Sequence, residues 1–188
     1  MDAALDARGA SDRVSMRADT VLAAPAGSGQ RFATAGVQVA LRSTRDRASS
    51  SWMLTAGVDA VSTHAPFDLW AGAGAGQART PLLRAHPLLS GGVITGPMFG
   101  RQMAHATVEY QQSLVSTPAG TLSLAAFVDA ADVRRPLAGD GPAHADLGAG
   151  ARFSLPGRGG TMRVDVARGL RDGHVVVSAG WLAPWPGR

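Results

Sequence analysis

The segment from Leu147 to Trp181 alternates apolar and polar residues, and this period of two constrains the fold more than any other feature of the chain. It reads LGAGARFSLPGRGGTMRVDVARGLRDGHVVVSAGW. Successive side chains of a β-strand point to opposite faces, so the alternation predicts three strands joined by two turns, at 146–155, 161–168 and 174–181. A sheet with one face in water alternates in the same way, so the period alone does not identify what the apolar face contacts.

Five further segments show the same alternation and lie closer to the N-terminus. In one of them Val37, Val39 and Leu41 share one face, and Gly36 and Gln38 share the other. No helical period appears anywhere along the chain. The sequence therefore predicts a single all-β, antiparallel unit over residues 1–188 with about eight strands. The five additional predicted strands are 13–23, 31–41, 51–61, 102–112 and 121–130.

The composition is compatible with a transmembrane β-barrel and argues against several other classes of protein. The chain has no run of about 18 apolar residues, which excludes a transmembrane helix, whereas a barrel strand shows only every second residue to lipid. All 18 basic residues are Arg, a bias typical of GC-rich coding sequences, and no basic run contains interleaved aromatic residues. We therefore expect no nucleic-acid partner. Cysteine is absent, which excludes disulfides and thiolate metal sites.

Residues 64–100 interrupt the strand pattern and form a long predicted loop. They are rich in Gly and Pro and have no sustained period of either kind. Loops longer than about 15 residues are uncommon in compact domains unless they are functional, so this segment is the best candidate for function. The interior of an eight-stranded barrel holds little beyond its own side chains. If the loop enters the lumen, the barrel must be wider and further strands must complete it.

Three short motifs place charged residues on the loop and on the two strands that follow it. The loop contains Leu-Arg-Ala-His at 83–86, the next strand contains Thr-Val-Glu-Tyr at 107–110, and the following strand contains Phe-Val-Asp at 127–129. The two carboxylates, Glu109 and Asp129, fall on the polar faces of their strands. A guanidinium presents a planar fork of donors that suits carboxylates. The residues by themselves nevertheless favour a solvent-exposed arginine at position 84, because isolated loop charges seldom have a fixed partner.

This order of elements resembles the bacterial surface-antigen barrels, the family that includes the outer-membrane assembly factors BamA and TamA and the two-partner-secretion transporters. The resemblance covers most of the chain from about residue 13. Members of the family have a sixteen-stranded barrel whose long extracellular loop folds into the lumen and bears a Val-Arg-Gly-aromatic motif. Here Ala85 stands in place of the Gly and His86 in place of the aromatic residue, while the Arg is retained as Arg84.

The resemblance implies that the chain is the C-terminal half of such a barrel. Arg84 is then expected to clamp the loop to the barrel wall at Glu109 and Asp129. Outer-membrane barrels also end on an amphipathic strand that the assembly machinery reads. The residues matching that C-terminal assembly signal here are Val175, Val177 and Trp181, and Trp185 is the alternative to Trp181 as the terminal aromatic residue.

The function implied by the resemblance is non-enzymatic: assembly and insertion, or translocation, of outer-membrane or secreted proteins. The expected partners are outer-membrane lipid, unfolded protein substrates, and either the missing N-terminal barrel strands or a second copy of the chain. No cofactor is expected. The N-terminus has no apolar signal-peptide core, so an outer-membrane location presumes a signal peptide upstream of this chain.

Enzyme and cofactor motifs are absent from the sequence. The run WAGAGAGQA lacks dinucleotide-loop spacing, a P-loop requires a Lys, and no nucleophile elbow is present. The five histidines show no metal-binding spacing, so neither a catalytic residue nor a metal site is predicted. The alternative, from a different functional class, is a self-contained eight-stranded barrel or sandwich that binds a small ligand.

Overall fold

The computed structural model describes an all-β chain. Helical structure is limited to short 3-10 turns such as Phe67–Leu69 in the residues described, and no helix in those residues is long and apolar enough to span a membrane. The described residues are 2–8, 12–23, 30–45, 50–75, 82–87, 89–90, 92–94, 98–136, 143–156 and 159–182.

Nine of the strands form a continuous antiparallel meander, and five short strands lie in the segment inserted between β4 and β10. The order in the main sheet is β1-β2-β3-β4-β10-β11-β12-β13-β14, and β5 pairs with the beginning of β10. The strands are β1 (Asp2–Arg8), β2 (Asp12–Ala23), β3 (Phe32–Arg45), β4 (Ser50–Val61), β5 (Ala71–Gly72), β6 (Gly74–Ala75), β7 (Leu83–Pro87), β8 (Leu89–Ser90), β9 (Val93–Ile94), β10 (Phe99–Thr117), β11 (Gly120–Pro136), β12 (His144–Ser154), β13 (Thr161–Gly169) and β14 (Val175–Leu182).

The prediction of an all-β antiparallel fold is confirmed, with three differences in detail. The predicted loop at 64–100 contains the short strands β5 to β9. The additional strand β1 pairs with β2; its Ala and Asp residues are poor strand formers, so its composition does not indicate a strand. The hairpin of β10 and β11 is also longer than predicted, because its ladder continues to the pair Gly100 and Pro136. Within the described residues the sheet is open, since β1 pairs with β2 alone and β14 with β13 alone.

The two faces of the sheet reverse the distribution of side chains that is usual in water. Charged side chains lie on the buried face, and large apolar side chains lie on the exposed face. On β11, Phe127 and Asp129 are 2% and 0% exposed, whereas Leu124 and Val128 on the opposite face are 52% and 44% exposed. Strand β13 repeats the arrangement. Its Arg163, Asp165 and Ala167 are buried, while Met162, Val164 and Val166 are exposed. The face that carries the charges is therefore the inner one, and the apolar face points outwards.

The inserted segment covers the inner face and supplies the main apolar core. Its backbone is held in place by hydrogen bonds: Ala73 donates its N–H to the Met98 carbonyl and accepts the N–H of Leu83 at 2.7 Å. The core beneath it is formed by the buried residues Ala71, Ala73, Leu83, Met98, Phe99, Met103, Ala131 and Val133. Apolar contacts therefore hold the inserted segment against β10 and β11 independently of any charged contact.

We predict that shortening an inner and an outer valine of β11 has unequal effects. Val133→Ala should lower the free energy of unfolding by about 2 kcal/mol, because it removes buried methyl groups and leaves a cavity. Val128→Ala, the matched change on the exposed face, should alter it by less than about 0.5 kcal/mol. Urea titration of the full chain in detergent, followed by circular dichroism, measures both. Equal losses in the two variants would contradict the assignment of the faces.

Candidate functional site

Strand β7 of the inserted segment lies across the inner face of the sheet, where it contacts β11, β12, β13 and β14. Leu83, Arg84, Ala85 and His86 are all buried there. Four consecutive buried residues are unusual for a loop segment, because alternate side chains of an extended chain point in opposite directions. Leu83 enters the apolar core, whereas Arg84 and His86 contact two different groups of polar side chains on the inner face of the sheet.

Arg84 lies among three carboxylates from three different strands. Its Nη2 is 2.8 Å from Glu109 Oε2 on β10, and its Nε is 3.1 Å from Asp129 Oδ2 on β11. Its Nη1 donates a hydrogen bond of 3.5 Å to Asp165 Oδ2 on β13. Each nitrogen of the guanidinium therefore faces a different strand, and one side chain joins the inserted segment to β10, β11 and β13.

Two arginines of the sheet, Arg152 on β12 and Arg163 on β13, complete the cluster. Arg152 donates two hydrogen bonds of 3.0 Å to the two oxygens of Glu109, in the bidentate geometry that suits a guanidinium and a carboxylate. It also donates to Asp165 Oδ1, and Arg163 donates to Asp165 Oδ2 at 2.8 Å. Gln111 adds a hydrogen bond of 2.7 Å to Glu109 Oε1. Glu109 and Asp165 are thus each bound by more than one cation.

Two glycines of β12 create the space that this cluster occupies. A Cβ on Gly148 would lie 2.3 Å from Cζ of Phe127, so the absence of a side chain allows the Phe127 ring to lie over β12. That ring in turn supports Arg84, whose guanidinium carbon is 3.6 Å from the ring centroid. A Cβ on Gly150 would lie 2.1 Å from Asp165 Oδ1. The two glycines that lie between Asp146 and Arg152 on the inner face of β12 are therefore a steric requirement of the site.

The charges of the cluster balance. Three guanidiniums, Arg84, Arg152 and Arg163, face three carboxylates, Glu109, Asp129 and Asp165, and these six residues are between 0% and 7% exposed. A charge removed from water is costly unless a partner compensates it, and the removal of one partner leaves the other uncompensated. The balanced ion pairs therefore hold the inserted segment in one position against the inner face of the sheet.

His86 forms a second attachment of β7, to the edge of the sheet. Its Nδ1 is 2.8 Å from Asp146 Oδ1 on β12, and its Nε2 is 2.8 Å from Asp172 Oδ2 in the turn between β13 and β14. The backbone N–H of Ala85 donates to the other oxygen of Asp146 at 2.6 Å. The Asp146 carboxylate raises the pKa of His86 above its usual range, against the opposing effect of burial, and Asp172 adds to this increase.

The structure brings some of the sequence-predicted site residues together and leaves others apart. Arg84, Glu109 and Asp129 meet in the cluster at the distances given above. The residues of the predicted assembly signal lie elsewhere, on the exposed face of β14, where Val175, Val177 and Trp181 are 63%, 69% and 53% exposed. Their role in assembly stays a prediction, as does the role of Arg84 as a clamp in a working barrel.

Half of the cluster was not identified from the sequence. Arg152, Arg163 and Asp165 lie on the polar faces of the predicted strands, and their alternation shows their orientation but not their neighbours. The pairing of Arg152 with Arg163 and of Gly150 with Asp165 depends on the register between β12 and β13. The polar faces of these two strands carry four charges within a short hairpin, and this concentration of charge is the available signal.

No family model matches this chain, and no curated protein has a significantly similar sequence.

We predict that Arg84→Ala destabilises the attachment of the inserted segment strongly. Loss of the guanidinium leaves Glu109 and Asp129 buried with less compensation, and breaking a buried ion pair in this way typically costs about 3–5 kcal/mol. Arg134→Ala is the matched control, because Arg134 pairs with Asp132 in a solvent-exposed position and exposed pairs contribute at most about 1 kcal/mol. Urea titration measures the free energies, and limited proteolysis monitors release of residues 62–98. Similar behaviour of the two variants would contradict a bracing role.

Proposed function

We propose that this chain forms part of an outer-membrane β-barrel of the surface-antigen type, which acts in the assembly and insertion, or the translocation, of outer-membrane or secreted proteins. The observation that carries the proposal is the reversed polarity of the sheet. Charged side chains are buried beneath the inserted segment, and a continuous band of large apolar side chains faces outwards.

The exposed apolar band is too extensive for a face in water. Scattered apolar residues are normal on soluble proteins, but contiguous apolar faces mark contact with a protein or a membrane. A soluble barrel or sandwich that binds a small ligand requires the opposite distribution, with apolar side chains inside. The exposed residues that follow the outward period of the strands include Val37, Leu41, Trp52, Leu54, Val58, Val108, Leu122, Leu124, Val128, Leu147, Met162, Val164, Val166, Val175, Val177 and Trp181.

The dimensions of the strands also suit a bilayer. A tilted transmembrane strand needs about 9–11 residues. Strands β10 and β11 have 19 and 17 residues, and β12 and β13 have 11 and 9. In a hydrocarbon environment backbone polar groups must be paired within the protein, and a continuous antiparallel meander provides this pairing everywhere except at its two edges.

The two open edges of the sheet support the inference that additional strands are needed to close the barrel. Strands β1 and β14 each have one neighbour in the described part of the chain, and an edge with unpaired N–H and C=O groups is unfavourable in lipid and prone to aggregation. We infer that further strands, either covalently continuous with this chain or from a second copy, close the barrel. The inner face that holds the inserted segment would then line the lumen.

The inserted segment supports a role in handling other proteins. Arg84 on the segment, placed between Glu109 and Asp129 of the wall, resembles the loop-to-wall contact of the surface-antigen barrels. A segment fixed in this way occludes the lumen beside it and keeps the wall in one shape. We propose that this stabilised wall is what engages the strands of unfolded substrate proteins.

The orientation of three tryptophans tests the membrane proposal. Trp52 and Trp181 are 49% and 53% exposed on the outward face, whereas Trp70 lies in the inserted segment, with its Nε1 donating to the Ala65 carbonyl. In single-tryptophan variants of the full chain reconstituted in vesicles, brominated lipids should quench Trp52 and Trp181 strongly and Trp70 weakly. Equal quenching at all three positions, or none at Trp52 and Trp181, would rule out a lipid-facing outer surface.

An insertion assay tests the role in assembly. Vesicles containing the full chain should accelerate the folding of a urea-denatured outer-membrane barrel relative to empty vesicles, as followed by its heat-modifiable migration on gels. Arg84→Ala should abolish most of the acceleration, and Arg134→Ala should retain it; circular dichroism identifies any variant that has lost its strands. A rate no higher than that of vesicles containing an unrelated barrel would refute the assembly function and leave the membrane proposal unaffected.

A further inference from the structure

Three potential metal ligands converge at the edge of the sheet where β7 ends. They come from three separate parts of the fold: His86 from the inserted segment, His144 from the start of β12, and Asp172 from the turn between β13 and β14. One donor atom of each lies within 4.8 Å of the others. Because these residues are far apart in the sequence, no spacing motif could have indicated the group.

The separations between the donor atoms suit a small divalent cation. His86 Nε2 is 3.2 Å from His144 Nδ1 and 2.8 Å from Asp172 Oδ2. Two ligands of a tetrahedral zinc ion, each about 2.0–2.1 Å from the metal, lie about 3.3 Å apart. The two imidazole nitrogens are already at nearly that distance. The Asp172 carboxylate, whose side chain is 30% exposed, must move to admit the ion, and its exposure leaves it room to do so.

The surroundings of His86 provide the outer support that a metal-binding imidazole needs. Its Nδ1 faces the buried carboxylate of Asp146 at 2.8 Å, which leaves Nε2 directed at the other two ligands. A carboxylate behind the ring is the usual means by which proteins fix the tautomer and orientation of a metal-binding histidine. Asp146 is itself held by the N–H of Ala85, so His86 is positioned before any ion binds.

A glycine maintains the space around this group. A Cβ on Gly169 would lie 2.3 Å from Asp172 Oδ1 and 3.0 Å from Cε1 of His86. Gly169 also fixes the turn, because its N–H donates to the His174 carbonyl at 2.9 Å. At the tip of the same turn Gly173 has a φ of +75°, which few other residues adopt without strain. The local backbone thus keeps Asp172 beside His86 with no side chain between them.

We propose that His86 Nε2, His144 Nδ1 and the Asp172 carboxylate form a binding site for a divalent transition metal of the Zn²⁺ class. Two imidazoles and a carboxylate suit divalent transition metals such as Zn²⁺, and the exposed side of Asp172 leaves a position for water. The ion would join the inserted segment to β12 and to the turn between β13 and β14. The site does not depend on whether the outward face of the sheet contacts lipid.

Zinc titration of the chelator-treated full chain tests the site. At slightly alkaline pH the chain should bind one Zn²⁺ in competition with a chromophoric chelator. Replacing a ligand, in His144→Ala or Asp172→Asn, should weaken binding by at least about 10-fold, and Asp146→Asn should weaken it by about 10–100-fold through the orientation of His86. His64→Ala, which alters an exposed histidine outside the group, should leave the affinity unchanged.

Two further readouts separate metal binding from folding. Gly169→Ala retains all three ligands but fills their space, so it should also weaken zinc binding, and circular dichroism confirms that the strands persist in each variant. Cobalt added to the wild-type chain should give the absorption of a four- or five-coordinate ion, and this absorption should vanish in His144→Ala. Unchanged zinc affinity in the His144 and Asp172 variants, or an equal loss in His64→Ala, would overturn the proposal.

Discussion

The buried ion pairs of Arg84 are the interaction on which the architecture of the inner face depends. One guanidinium from the inserted segment contacts carboxylates of β10, β11 and β13, and those carboxylates would be costly to bury without it. Arg152 and Arg163 bring the cluster to electrical balance. Because the partners come from strands that are distant in sequence, the ion pairs form only when the sheet has its correct register and the segment lies against it.

Burial of charge and exposure of apolar side chains are two consequences of the same arrangement. Each strand has only two faces, so strands whose polar residues converge on an inserted segment must present their apolar residues to the outside. In water this arrangement would be unfavourable over so wide a surface, and in a bilayer it is what the surroundings require. The charge cluster and the apolar band therefore lead to the same proposal of a barrel with a filled lumen.

Much of the fold could be predicted from the period of two, because alternation is a local property that the backbone imposes on every strand. The predicted strands correspond to β2–β4 and β10–β14, and the long loop corresponds to the segment inserted before β10. Part of the site was accessible as well, because the resemblance to the surface-antigen barrels singled out Arg84, Glu109 and Asp129. Asp165 and Arg152 resemble ordinary polar residues of an alternating strand, so the sequence does not single them out. The composition of β1 does not predict a strand, because Ala and Asp seldom form strands.

The sequence by itself determined that this chain is an antiparallel sheet, which residues share a face, and which charges belong to the polar side, because each of these depends on neighbours along one strand. The tertiary structure alone decided that the polar side is the buried one, that Arg152 and Asp165 belong to the Arg84 cluster, and that His86, His144 and Asp172 meet. The reason is physical: strand register and the path of the inserted segment bring together residues that are far apart in the chain, and no local pattern records those distances.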